Sequence, residues 1–235
     1  MRERTISDVE RAWDSRQKAG WAALDPDPFI LEWLETYADA LGRRIVDLGC
    51  GAGRYLIPLA SMGFDVTGVE LTTAGVERTR ARVAESGLSA TVLQGDFQEV
   101  DLGDRPFDSA IAIQSFQFGN WEHAVRSFER VVELLRPGGF FLCRVRSLAH
   151  TPDDIEELEE SHILPPEDRG RTYLRQYDTG HHAPFHQFSH AELQYLIDTY
   201  GFEVVEGPTE VTATKQVGDS AVTTGQWNLL LRTTT

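Results

Sequence analysis

The chain has 235 residues, of which 41% are hydrophobic and 25% charged. That composition is globular, long enough to bury a core without disulfides or a structural metal, and it excludes a disordered or collagen-like chain. With 22 basic against 37 acidic residues the formal net charge is −15, a surface that repels phosphate backbones, so no nucleic-acid partner is expected. Cys50 and Cys143 are too few for a disulfide framework and fit a cytoplasmic location. No apolar run approaches the ~18 residues of a membrane span, and the charged start at Met1 to Arg4 leads into no apolar signal core, so neither a membrane partner nor secretion is expected.

In chain order, Ser7 and Glu10 have capping-box spacing ahead of Val9, Ala12 and Trp13, which predicts a first helix stopped at Gly20. Asp27 and Pro28 open a second helix, with Phe29, Ile30, Trp33, Leu34, Tyr37, Ala38 and Leu41 on one face and Gly42 as the stop. Strands are predicted over 45–48, 65–70, 90–93, 107–113 and 140–145. Helices over 54–62, 73–85 and from Asn120 to Pro137 alternate with them, and Pro58 sits awkwardly in the first of these. Such alternation means βαβ units and a mainly parallel sheet. Residues 147–188 break the pattern with a short acidic helix near 152–160, Pro165-Pro166 and a histidine-rich stretch. Ser189 and Glu192 then box a last helix, and strands follow at 202–205 and 227–231.

In a parallel sheet the ligand crevice lies at the carboxyl ends of the strands. Val46 to Gly53 joins the first strand to a helix with Gly-x-Gly-x-Gly spacing, so the backbone turns tightly and offers free N–H groups to a ligand. Glu70 ends the second strand, where a carboxylate accepts ribose hydroxyls. Asp96 follows the third, placed for an adenine amino group, with Leu71 and Phe97 as apolar walls. Cys50 has no base beside it and reads as a small filler rather than a nucleophile.

Between about Arg44 and Arg146 the sequence resembles the class I S-adenosylmethionine-dependent methyltransferases. The resemblance is carried by the turn at 47–53, Glu70, Gly95-Asp96, Phe107-Asp108 and Leu135-Arg136-Pro137-Gly138-Gly139. It implies an α/β fold with a doubly wound, mainly parallel seven-stranded sheet of Rossmann-like methyltransferase type. The last strand would run antiparallel. It further implies S-adenosyl-L-methionine as cofactor and S-adenosyl-L-homocysteine as product. Gly49, Cys50, Gly51 and Gly53 would line the methionine part, with Asp47 near its amino group; Glu70 would take the ribose, Asp96 the adenine, and Gln114 would stand nearby. The chain reads as one methyltransferase domain: an N-terminal helical lid at 1–42, the cofactor core at 43–146, a lid insertion at 147–188, and a helix with two strands at 189–235.

The acceptor reads as a small molecule, because the motifs for nucleic-acid base methylation are missing: Ile113-Gln114-Ser115-Phe116 stands after the fourth strand, and there is no Pro-Cys pair. Its pocket candidates are Trp13, Trp21, Phe116, Gln117, Phe118, Arg144, Arg146, Tyr173, Tyr177, His181 and His182. Either Arg144 or Arg146, with period two at a strand end, could hold an acceptor carboxylate. His186 is the candidate general base, the alternative being a hydrogen-bonded core histidine. The histidines lack metal-ligand spacing, so no metal is expected. Rival readings are an NAD-dependent dehydrogenase, which favours Gly-x-Gly-x-x-Gly, a non-catalytic cofactor binder, and a different use of the sulfonium.

Overall fold

The computed structural model describes residues 6–18, 25–151, 155–177, 179–217 and 220–234. The first five strands are β1 (Arg44–Leu48), β2 (Asp65–Glu70), β3 (Thr91–Gln94), β4 (Phe107–Ile113) and β5 (Leu135–Arg146). Three more, β6 (Ile155–Glu157), β7 (Arg171–Gln176) and β8 (His182–Gln187), form a separate antiparallel sheet. The last two, β9 (Phe202–Val217) and β10 (Ser220–Thr233), join the first five in a seven-stranded sheet of order β3-β2-β1-β4-β5-β10-β9. β1 to β5 pair in parallel, and β10 runs antiparallel to both β5 and β9. The order reverses between β1 and β4, which places the ligand crevice at their tips.

Each central strand alternates its side chains between two cores. Val46 and Leu48 of β1 face a core built with α5 (Trp121–Leu134) and α6 (His190–Thr199), while Ile45 faces α2 (Pro28–Thr36), α3 (Leu56–Ser61) and α4 (Thr73–Glu85). α5 packs because Trp121, Ala124, Phe128, Val131 and Leu134 form one buried stripe, and Asn120 caps it by accepting from His123 N at 3.0 Å. The Ser189/Glu192 capping box is present on α6.

Several expectations are corrected. α1 runs Ile6–Lys18, so Ser7 lies inside it rather than capping it, and Gly20 falls outside the described residues. The glycine-rich turn continues to Tyr55, so α3 begins at Leu56; Pro58 then lies in its first turn, where no backbone N–H is needed. No helix forms over 155–160: β6 lies there instead, paired with β7. Residues 152–154 are outside the described set. The final strands are far longer than 202–205 and 227–231, because beyond the core they pair with each other as a polar, threonine-rich ribbon, with Ser147 and Thr151 bonding Gly225 and Thr223 at its base. Among the described residues no helix is long and apolar enough to cross a membrane.

Candidate functional site

A cavity of about 150 Å³ opens at the tips of β1, β2 and β4. The turn after β1 supplies Asp47, Gly49, Cys50, Gly51, Ala52, Arg54 and Tyr55. Two of its glycines are required by the geometry. Gly49 has φ +87°, and a Cβ there would stand 2.5 Å from Ser115 Cβ; Gly51 has φ +58°, and its N–H donates to Glu70 Oε2 at 2.9 Å. Glu70 thereby ties the turn to the end of β2. Its Oε1 accepts from Thr72 N at 3.0 Å and Thr72 Oγ1 at 2.6 Å. Burial nonetheless pushes its carboxyl above the ordinary range.

Asp47 is 2% exposed, and its Oδ2 has no hydrogen-bond partner among the described residues. Burial first, and then the Glu70 charge, push its carboxyl up to about 8. Burial pushes the Cys50 thiol well above its usual value, which keeps it protonated and unreactive. The cavity therefore holds two buried acids and an unfilled acceptor.

Its roof is α1. Ile6, Val9, Trp13 and Gln17 lie on one helical face, and all four line the cavity. Gln17 also hydrogen-bonds Glu70. Trp13 packs edge-on to Phe118 at 4.9 Å and to Tyr177 at 5.7 Å. The loop after β4 supplies Gln114, Ser115 and Phe118. Gln114 holds φ +60°, unusual for a side chain with a Cβ; its N–H donates to Arg144 O at 2.7 Å and its Nε2 to Gln226 Oε1 at 2.7 Å. Leu71, Phe97 and His123 complete the wall. Burial drives His123 down to about 4, so it is neutral at physiological pH.

Of the residues expected from sequence, Asp47, Gly49, Cys50, Gly51, Glu70, Leu71, Phe97, Gln114, Trp13 and Phe118 come together at this cavity. Gly53 and Asp96 do not line it; Asp96 is half-buried, with Oδ1 taken by Gln98 N at 2.9 Å. Phe116 belongs to the core with Phe97, Phe128 and Phe141, and Gln117 is buried, donating to Gln114 O at 3.0 Å. Tyr173 and Tyr177 are buried under β8 and α1, His181 and His182 stand away from the cavity, and Trp21 lies outside the described residues. His186 is 1% exposed and does not line the cavity; its Nε2 meets Glu192 Oε2 at 3.1 Å and its Nδ1 meets Thr172 Oγ1 at 2.7 Å. That fully used ring has no nitrogen left for a substrate. Arg144 is committed too, to Asp27 Oδ2 and Asn228 Oδ1, both at 2.6 Å. Sequence reasoning missed Ile6, Val9, Gln17, Thr72, Ser115 and His123. The period of α1 carried the signal for the first three, but nothing local said what that face covers. Among the described residues no cluster of three or more His, Cys, Asp or Glu side chains is placed to hold a metal ion.

The fold and the position of the cavity define a class: Rossmann-like α/β proteins with a methyltransferase-type sheet. Residues 45–139, about two fifths of the chain, match the family model of the methyltransferase domain. A curated relative, the "Putative methyltransferase YqeM" of Bacillus subtilis, is 29% identical over 151 residues, covering 63% of this chain and 59% of the relative. The chain spans less than two thirds of the length of the curated relatives it matches. Among solved structures, the 1,6-didemethyltoxoflavin-N1-methyltransferase of Burkholderia thailandensis, with its substrate and S-adenosylhomocysteine bound, superposes with TM-score 0.64 at 18% identity, covering 98% of this chain and 87% of that one. The CcbJ methyltransferase of Streptomyces caelestis gives TM-score 0.61 at 21% identity, covering 98% and 97%. At these identities the likeness is one of fold.

Proposed function

We propose that the chain is an S-adenosylmethionine-dependent methyltransferase acting on a small molecule. The observation that carries this reading is the buried Asp47/Glu70 pair at adjacent strand tips, with Asp47 Oδ2 left without a donor. The donor set of the cofactor fits it. An ammonium satisfies Asp47 and removes the cost of its buried charge. Ribose hydroxyls fit the remaining acceptor capacity of Glu70, and Leu71 and Phe97 offer apolar walls for a purine. The Burkholderia neighbour, whose structure holds 1,6-didemethyltoxoflavin beside S-adenosylhomocysteine, supports a small-molecule acceptor.

When bound, the cofactor supplies an electrophilic methyl group on a sulfonium. The chain's own residues position and enclose. α1 roofs the site, and Gln17 hydrogen-bonds Glu70, the residue that would hold the ribose. Gln114, held by Gln226 and the Arg144 carbonyl, fixes the wall on the acceptor side. Neutral His123 is a weak base, so the site works by proximity and exclusion of water rather than by proton removal. α1 acts as the lid with the 147–188 insertion behind it, whereas α2 packs in the core away from the cavity: β8 docks on the loop after β4 through His186 N to Gln117 O and the Phe118–Phe185 bridge.

Glu70→Ala removes the acceptor for Gly51 N and Thr72 and, on this reading, the ribose contact. Its affinity for S-adenosylhomocysteine is expected to fall by about 1–3 kcal/mol, measured by calorimetry. Unchanged affinity would take Glu70 out of the site.

A further inference from the structure

The two arginines at the end of β5 differ in one respect that decides between them. Arg144 is held by Asp27 through Nη1 and by Asn228 through Nε. Arg146, two residues on and on the same face, has its Nε and Nη1 buried with no hydrogen-bond partner among the described residues. Asn228 Nδ2, on the neighbouring strand and the same face, is another buried donor without an acceptor. The charges around Arg146 make matters worse: Arg175, Arg144 and Arg54 all act on it. Burial, and then those neighbours, bring its guanidinium down to about 10. Arg146 Nε and Nη1 and Asn228 Nδ2, buried without acceptors among the described residues beside further positive charge, cost free energy, and in a chain of net charge −15 they stand against the overall field.

The patch adjoins the cavity. Arg146 pairs with Gln226 in the β5–β10 ladder, Gln226 accepts from Gln114, and Gln114 and Arg54 line the cavity. Arg175, on β7 of the insertion, is held by the rings of Phe185 and Tyr177 at 5.0 and 5.3 Å and faces the same space. We infer that Arg146, backed by Asn228 and the charges of Arg54 and Arg175, is the oxyanion-binding element of the acceptor pocket, and that the acceptor carries a carboxylate or phosphate group. A guanidinium presents two parallel N–H donors to such a group, which fixes the acceptor's orientation as well as its charge. The inference rests on the methyltransferase reading for the word acceptor, but the anion site itself does not.

The test titrates the full chain with benzoate, phenyl phosphate and the neutral benzamide, with and without S-adenosylhomocysteine, and repeats it with Arg146→Gln and Arg146→Lys. One or both anions are expected to bind at least about tenfold tighter than benzamide, and the stronger of the two identifies the group. Arg146→Gln is expected to abolish that preference, Arg146→Lys to keep part of it, and both to bind S-adenosylhomocysteine as the parent does. Arg146→Met, which removes the unpartnered charge, is expected to raise the melting temperature of the ligand-free chain by a few degrees. Equal binding of anions and benzamide, no binding of either, or an anion preference that survives Arg146→Gln would overturn the assignment. Anion binding that depends on Arg146 in a chain that ignores S-adenosylhomocysteine would leave the anion site standing and remove the methyltransferase reading.

Discussion

Asp47→Asn is expected to make the ligand-free protein more stable and a much poorer binder of S-adenosylhomocysteine. Burial and the Glu70 charge raise the native carboxyl to about 8, against ~3.9 for an unfolded chain. The native state therefore keeps a proton that the unfolded state loses. Its stability falls as pH rises from about 4 to about 8, and the full cost is present above that. The amide removes this cost, by about 5 kcal/mol at pH 8.5 and by almost nothing at pH 4, read from urea denaturation at the two values. It also removes the carboxylate whose unpartnered oxygen would face a bound ammonium, so affinity falls about a hundredfold. In the parent, binding an ammonium expels the Asp47 proton, so affinity rises about tenfold per pH unit up to about 8; above that the free ligand's own amino group deprotonates and affinity declines. The variant loses the acid limb of that profile. An Asp47→Asn protein that is less stable at pH 8.5 and binds as tightly would mean that the side chain faces no cation.

Glu192→Ala is expected to be the most destabilising single change in the chain outside the main core. Its carboxylate is 0% exposed and takes His162 Nε2 at 2.7 Å, His186 Nε2 at 3.1 Å and Ser189 N at 3.0 Å. Burial would raise its pKa, but the bond and charge of His186 hold it below the ordinary carboxylate range. Thr172 extends the network from His186 to Glu160, joining β7, β8, α6 and the preceding loop. Removing the carboxylate leaves its partners His162, His186, Ser189 N and Gly170 N unanswered and breaks the α6 capping box, at a cost of about 3–5 kcal/mol in denaturant unfolding at pH 7. Because the native pKa is depressed, this stability is present above the unfolded value of ~4.3 and is lost as pH falls below it. Glu192→Gln keeps one acceptor and loses less. A cost under about 1 kcal/mol for the alanine variant would contradict the network's role.

The parts of the molecule legible from sequence are those whose signal is local. The turn at 47–53 needs glycines because Ser115 crowds Gly49 and Gly49, Gly51 and Gly53 all hold positive φ, and the β1, β2 and β4 runs are apolar because both their faces are covered. The α5 and α6 caps sit within four residues of what they cap. Illegible were the contacts made across the chain. Asp27 meets Arg144 over 117 positions, which is why two equivalent-looking arginines have opposite fates. His186 reads as a base until Glu192 and Thr172 occupy both its nitrogens. β6 is acidic, and β7 and β8 set Tyr173, Leu174, Ala183 and Phe185 among arginine, histidine and glutamine, so no regular alternation announces the strands before they pair. In the β9–β10 ribbon the β-branched residues between 209 and 224 were a usable signal, masked by the lack of an apolar partner surface.

The most direct measurement is a calorimetric titration of the full chain at pH 8 with S-adenosylhomocysteine and, separately, with NAD. One site per chain with a dissociation constant of about 10 μM or tighter for the nucleoside amino acid, and no heat from the dinucleotide, is the predicted result. Heat from NAD alone, or none from either at about 1 mM, would contradict it.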